Sequence, residues 1–124
     1  MRPLRLVDSI TELRPHDVDC IAVSGSHGGI SSARYALAAR PFLSIFNDAG
    51  AGKDNAGRAA LYLLQNHDLA ACTVAHTSAR IGQAQSTLND GLISAINAKA
   101  QALGIQLGWR CQHTVDFLMV HSKG

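Results

Sequence analysis

Three segments of the chain are apolar without strict alternation: residues 19–25 (DCIAVSG), 42–47 (FLSIFN) and 69–76 (LAACTVAH). Each is followed by a glycine-containing polar stretch and then by apolar residues at helical spacing. After the first run, Ser31 or Ser32 offers an N-cap to the alanine-rich segment SARYALAAR, which ends at Pro41. After the second, Ala56, Ala60, Leu61 and Leu64 share one helical face. After the third, the spacing predicts a helix from about Thr87 to Leu103, with Leu88, Leu92, Ala95, Ile96 and Leu103 on one side and Gly104 as the residue that ends it. Continuous apolar runs suit strands buried on both faces. The repeated order of strand, loop and helix predicts right-handed βαβ crossovers. The expected fold is therefore α/β, with a three-layer, mostly parallel sheet built of Rossmann-like βαβ units, in a single domain over residues 1–124. Residues 4–7 (LRLV) could add an edge strand, and residues 114–121 could form a last strand or a short helix. The intervals between units are irregular, which excludes a solenoid.

Composition refines this picture. A length of 124 residues suits one domain. The chain is 47% hydrophobic but only 5% aromatic, so its core must be built of Ala, Leu, Ile and Val at close approach. Charged residues make up 16%, below the typical ~25% of soluble domains, so part of the surface is expected to be covered in a homo-oligomer. A net charge of +2 with scattered basic residues lacks the footprint of a nucleic-acid binder. Cys20, Cys72 and Cys111 form no CxxC pair and read as reduced, buried residues, which points to the cytoplasm. Charges interrupt the only apolar stretch in Met1–Leu13, so neither a signal peptide nor a membrane partner is expected.

The polar chemistry gathers in the loops that follow the apolar runs. In an open parallel sheet these loops meet at the carboxyl edge of the strands, where ligands bind and helix N-termini favour anions. The first loop, Ser24 to Ser32, contains Gly25, Gly28 and Gly29 but does not match GxGxxG, so no nicotinamide or flavin cofactor is expected. Ser24-x-Ser26-x-Gly28 comes within one glycine of a nucleophile elbow. Ser26, Asp48 and His76 also follow the Ser, Asp, His order of α/β-hydrolases, although those enzymes are much larger and place the acid and the histidine far downstream. The second loop, Asn47 to Gly57, places Lys53 and Asp54 after Gly52 and lacks the Ser or Thr and the first glycine of a Walker A loop. Asp54 suits an N-cap. Lys53 beside apolar walls could act as a base oriented by Asp48. In the third loop, His76 ends a buried strand and is suited to proton transfer, while Arg80, flanked by Ser78 and Gly82, could clamp a carboxylate.

His27, Asp48 and His76 could also converge as two histidines and a carboxylate, but no HxxxH, HxH or HExxH spacing supports a metal site, and none is assigned. His16, His67, His113 and His121 read as solvated, with His67 suited to a helix C-terminus. The expected function is a cofactor-independent enzyme of hydrolase, lyase or isomerase type, acting on a small anionic or amide-bearing metabolite. Its catalytic candidates are Ser26, His27, Asp48, Lys53 and His76, and its substrate-binding candidates are Gly28, Gly29, Asn47, Ser78 and Arg80. The alternative is a non-catalytic ligand-binding or accessory subunit of a larger enzyme complex.

Overall fold

The computed structural model describes residues 2–50 and 53–121, the side chains of residues 53–55 excepted. The strands β1 (Leu4–Val7), β2 (Ile21–His27), β3 (Leu43–Asn47), β4 (Ala70–Val74) and β5 (Ile93–Ile96) form one sheet in that order. The first four are parallel, and β5 runs antiparallel against β4. The helices are α1 (Ile30–Ala39), α2 (Ala59–Asn66), α3 (Ala84–Asp90), α4 (Ala98–Ala102) and α5 (Cys111–His121). The α/β class and the mostly parallel sheet follow the expectation from the sequence.

The central strands are apolar throughout because alternate residues enter two separate cores. Ile21, Val23, Leu43, Ile45, Cys72 and Val74 join Leu88 of α3 and Val115 and Leu118 of α5. Their neighbours Ala22, Phe46 and Ala71 join Ala33 and Ala36 of α1 and Ala60, Leu61 and Leu64 of α2. In the second cluster alanines of helix and sheet meet, so backbones approach closely and there is little room for a larger side chain. Both side-chain sets of a central strand are removed from water, as a period of two requires when each face has a partner.

Several boundaries differ from the sequence reading. Residues 87–103 are not one helix: α3 stops at Asp90, residues 93–96 form β5, and α4 follows. The break falls at Gly91, where a Cβ would lie 2.5 Å from the Thr87 carbonyl oxygen and 2.7 Å from the Val74 side chain. The chain then pairs with β4, with Ala75 N–H donating to Leu92 O and Asn97 N–H to Ala71 O. The Asn97 side chain accepts from Ala100 N–H and starts α4, and Gly104, at φ +99°, follows its end. Residues 114–121 lie within a helix, α5. Residues 26 and 27, beyond the expected strand run, continue β2. The N-cap of α2 is Arg58 and not Asp54. A single turn of 3-10 character, Lys53–Arg58, intervenes.

The extension of β2 has a packing cause. Between Val23 and His27 the pairing with β3 advances only from Ile45 to Asn47, so β2 bulges. Inside the bulge a Cβ on Gly25 would lie 2.4 Å from Gln83 N, and Gly82 N–H donates to Gly25 O at 2.7 Å. The segment after β4 thus runs back across the carboxyl edge and seats on β2. Ala84 N–H completes the crossing by donating to the Asp8 carboxylate.

Candidate functional site

His27, Asp48 and His76 stand at or just beyond the carboxyl ends of β2, β3 and β4. The first determinant is Asn47, which is fully buried. Its Nδ2 donates to Ala79 O at 3.1 Å, and its Oδ1 accepts from Ala49 N–H at 2.7 Å. That turn carries Ala49 and Gly50 into positive φ (51° and 76°) and folds the chain back over the residue between them and the strand, Asp48.

Asp48 is only 4% exposed, yet both carboxylate oxygens are occupied. Oδ1 accepts from Gly50 N–H at 2.8 Å and from His76 N–H at 3.0 Å, and Oδ2 accepts from Ser94 Oγ at 2.8 Å. Ser94 Oγ also lies 2.8 Å from Thr73 Oγ1. A hydroxyl has one proton, so with Ser94 donating to Asp48, Thr73 must donate to Ser94. Arg58 Nη2 stands 3.6 Å from Oδ2, and His76 Nδ1 stands 3.5 Å from Oδ1. Burial pushes the Asp48 carboxyl up, but the Ser94 hydroxyl, the Gly50 and His76 amides and the Arg58 charge outweigh it and hold the group below the usual carboxylate range. Asp48 is therefore a fixed anion.

The His76 ring is half-exposed and lies against Gly50, where a Cβ would come 3.4–3.6 Å from three ring atoms. At 3.5 Å the Nδ1 contact with Asp48 is longer than a good hydrogen bond. An anion on that side favours the proton on Nδ1 and leaves Nε2 as the acceptor, which is the form a general base needs. Nε2 has no protein partner among the described residues. His76, Ser78, Arg80, Ser86 and Asp90 line an open recess of about 240 Å³. Arg80 is held there by its backbone, whose N–H donates to Ser86 Oγ at 3.0 Å.

The other sequence candidates have different surroundings. Ser26 Oγ accepts from Ile10 N–H at 2.9 Å within β2, and β2 does not turn sharply there as a nucleophile elbow would. Gly28 N–H donates to Asn47 O and Gly29 N–H to His27 O, so neither amide is open to an anion. Gly28 serves a close approach instead, since a Cβ there would lie 2.5 Å from Gly57 O. Ser78 Oγ donates to Ala75 O and accepts from Leu92 N–H, which staples the loop after β4 to the start of β5. The His27 ring is exposed and folds over Gly29. The side chain of Lys53 lies outside the described residues. Two groups at the site, Ser94 and Arg58, escaped the sequence reading: Ser94 stood within a segment expected as helix, and Arg58 had no local signal.

Among the described residues no three His, Cys, Asp or Glu side chains are grouped so as to hold a metal ion. The three cysteines are buried and unpaired. Burial pushes the Cys20 thiol up to about 11, the Cys111 thiol up to about 12, and the Cys72 thiol well above its ordinary value. No described helix is long and apolar enough to cross a membrane. Comparison with protein-family models, curated proteins and solved structures finds no match to this chain.

Proposed function

We propose that the chain is a cofactor-independent enzyme on a three-layer, Rossmann-like α/β domain, acting at the carboxyl edge of its sheet on a small carboxylate- or amide-bearing metabolite. The reaction class is hydrolysis, elimination or isomerisation, with one proton transfer at its centre. The observation that carries this reading is the buried, three-fold hydrogen-bonded Asp48 carboxylate 3.5 Å behind the half-exposed imidazole of His76. His76 Nε2 takes the proton, Asp48 orients the ring and stabilises the imidazolium, and Arg80, in the same recess, binds the substrate anion. Ser26 is left out, because its hydroxyl oxygen already serves the Ile10 amide. Three buried, unpaired thiols support a reducing compartment, the cytoplasm. The low charged fraction supports a homo-oligomer.

The decisive pair of variants is His76→Gln and Asp48→Asn. An Asn at position 48 can keep its Oδ1 on the two amides while its Nδ2 donates to Ser94, which then donates to Thr73, so the network reverses its protons without breaking. The variant should fold and lose the charge behind His76. A thermal-shift screen of small carboxylic acids and primary amides finds the compounds that stabilise the protein, and NMR of the same mixtures finds those consumed. Both variants should retain stabilisation and lose turnover by at least about 100-fold. If the intact protein consumes none of the compounds that stabilise it, the chain is a ligand-binding or accessory module and this proposal fails.

A further inference from the structure

Next to the Arg58 contact with Asp48, α2 and the edge strand β5 enclose a groove of about 260 Å³. Arg58, Tyr62 and Gln65 line its α2 side, and Leu61, Ala95 and Ile96 supply apolar wall. Arg58 is the N-cap of α2, and Tyr62 and Gln65, three positions apart within the helix, share one face; seven residues at ~1.5 Å each separate the ends by about 10 Å.

The polar groups of this groove divide into those already used and those still free. Asn97 is saturated: its Nδ2 donates to Leu61 O and Leu69 O, and its Oδ1 accepts from Ala71 N–H and Ala100 N–H. Gln65 Oε1 is taken by Lys99 N–H at 2.8 Å, which leaves the Gln65 amide protons without a partner among the described residues. Arg58 has Asp48 at 3.6 Å, beyond hydrogen-bond distance, and its buried Nε has no partner among the described residues. An unmet guanidinium donor in a protein interior calls for an explanation. Among the described residues every side-chain polar group left open here is a donor, apart from the Tyr62 hydroxyl, which can act as either.

We propose that this groove binds a small carboxylate with a short apolar chain and a second hydrogen-bond acceptor at its far end. Arg58 receives the carboxylate, the apolar chain lies on Leu61, Ala95 and Ile96, and the Gln65 amide donates to the distal carbonyl. Charge, length and donor pattern all select that ligand class over a cation or a plain hydrocarbon. The groove shares Arg58 with the surroundings of Asp48, but its evidence does not depend on the His76 reading.

The test is a titration of the full-length protein, followed by amide NMR, with three six-carbon probes: hexanoate, 6-amino-6-oxohexanoate and hexan-1-ol. The two carboxylates should shift the amides of Tyr62, Gln65 and residues 95–98 saturably, the amide-bearing probe binding tighter, while hexan-1-ol does not bind. Arg58→Gln should weaken both carboxylates by about tenfold or more, as loss of a charge-assisted pair implies. Gln65→Leu should reduce the amide-bearing probe to the affinity of hexanoate and leave hexanoate unchanged. Ala95→Trp, which fills the groove from the β5 side, should abolish binding of both and keeps the test open if Arg58→Gln misfolds. His76→Gln should change neither affinity. Shifts confined to residues 76–80, an unaltered affinity in Arg58→Gln, or hexan-1-ol binding as well as hexanoate would each overturn the proposal.

Discussion

The cavity at the amino rim of the sheet and the recess at the carboxyl rim stand beside charged groups held in different ways. At the amino rim, Val18, Arg40, Phe42, Asp68, Lys99 and Leu103 help line a cavity of about 320 Å³, larger than the recess beside His76. Its ion pair, Lys99 with Asp68 at 3.2 Å, joins side chains that are 43% and 82% exposed. At the carboxyl rim a single carboxylate, Asp48, is withdrawn from water and held by three donors. A buried charge is costly unless its partners are in place, so a fold that buries one has fixed its position. An exposed pair fixes little. Cavity volume and satisfied burial therefore rank the two places differently; before β2 satisfied burial is met outside the cavity, by Asp17 with Arg5 and the Arg14 amide. Backbone conformation does not separate them: Arg40 at the amino rim (φ 55°) and Ala49 at the carboxyl rim (φ 51°) both stand in the left-handed region.

The largest expected effect follows from removing the buried anion. Asp48→Ala leaves the Gly50 amide, the His76 amide and the Ser94 hydroxyl without their acceptor, and should cost about 3 kcal/mol or more. Asp48→Asn, which can keep the network by reversing the Ser94 and Thr73 protons, should cost less than half of that. Urea denaturation of the three proteins checks the order. If Asp48→Ala were as stable as the parent chain, the contrast between the rims would collapse.

Much of the fold was legible because its strands are buried on both sides, so that unbroken apolar runs such as CIAV and LSIF could be read directly as central strands. β5 was not, because Leu92, Ala95 and Ile96 also satisfy helical spacing; the contrary signal was Asp90-Gly91, a breaker pair inside the supposed helix. The same misreading hid Ser94. The candidate site was legible at Asp48 and His76, since each follows a strand whose carboxyl end had been found. It was not legible at Arg58, whose contact with Asp48 arises from the path of the intervening loop, nor in the structural use of Ser26 and Ser78, whose backbone partners Ile10, Ala75 and Leu92 are set by tertiary packing.

Acid sharpens the comparison at intermediate magnitude. The carboxyls of Asp48 and Asp17 both titrate below the ordinary 3.8 in the folded chain. For Asp17, burial raises the value but is outweighed by the Arg14 amide at 2.8 Å and Arg5 Nε at 2.9 Å. A depressed folded value means that the unfolded chain takes up protons first, so these groups add stability above pH of about 4 and lose it as pH falls through their folded values. Chemical denaturation between pH 6 and pH 2 should show that loss. Asp48→Asn should flatten the acid limb.

The smallest expected effect is at the amino rim. Asp68 sits in the left-handed region at φ 64°, in the turn between α2 and β4, so two properties are superimposed there. Asn tolerates that conformation nearly as well as Asp and removes only the charge. Asp68→Asn should therefore change stability by no more than about 0.5 kcal/mol, because its partner lies across solvent and long side-chain pairs in water are worth little. Asp68→Ala keeps the charge loss and adds the left-handed penalty of about 1 kcal/mol, so the difference between the two variants isolates the backbone. Thermal or urea unfolding resolves both. A loss above about 1.5 kcal/mol in Asp68→Asn would give the amino rim the kind of committed charge that sets Asp48 apart, and the larger cavity there would then have the stronger claim to a ligand.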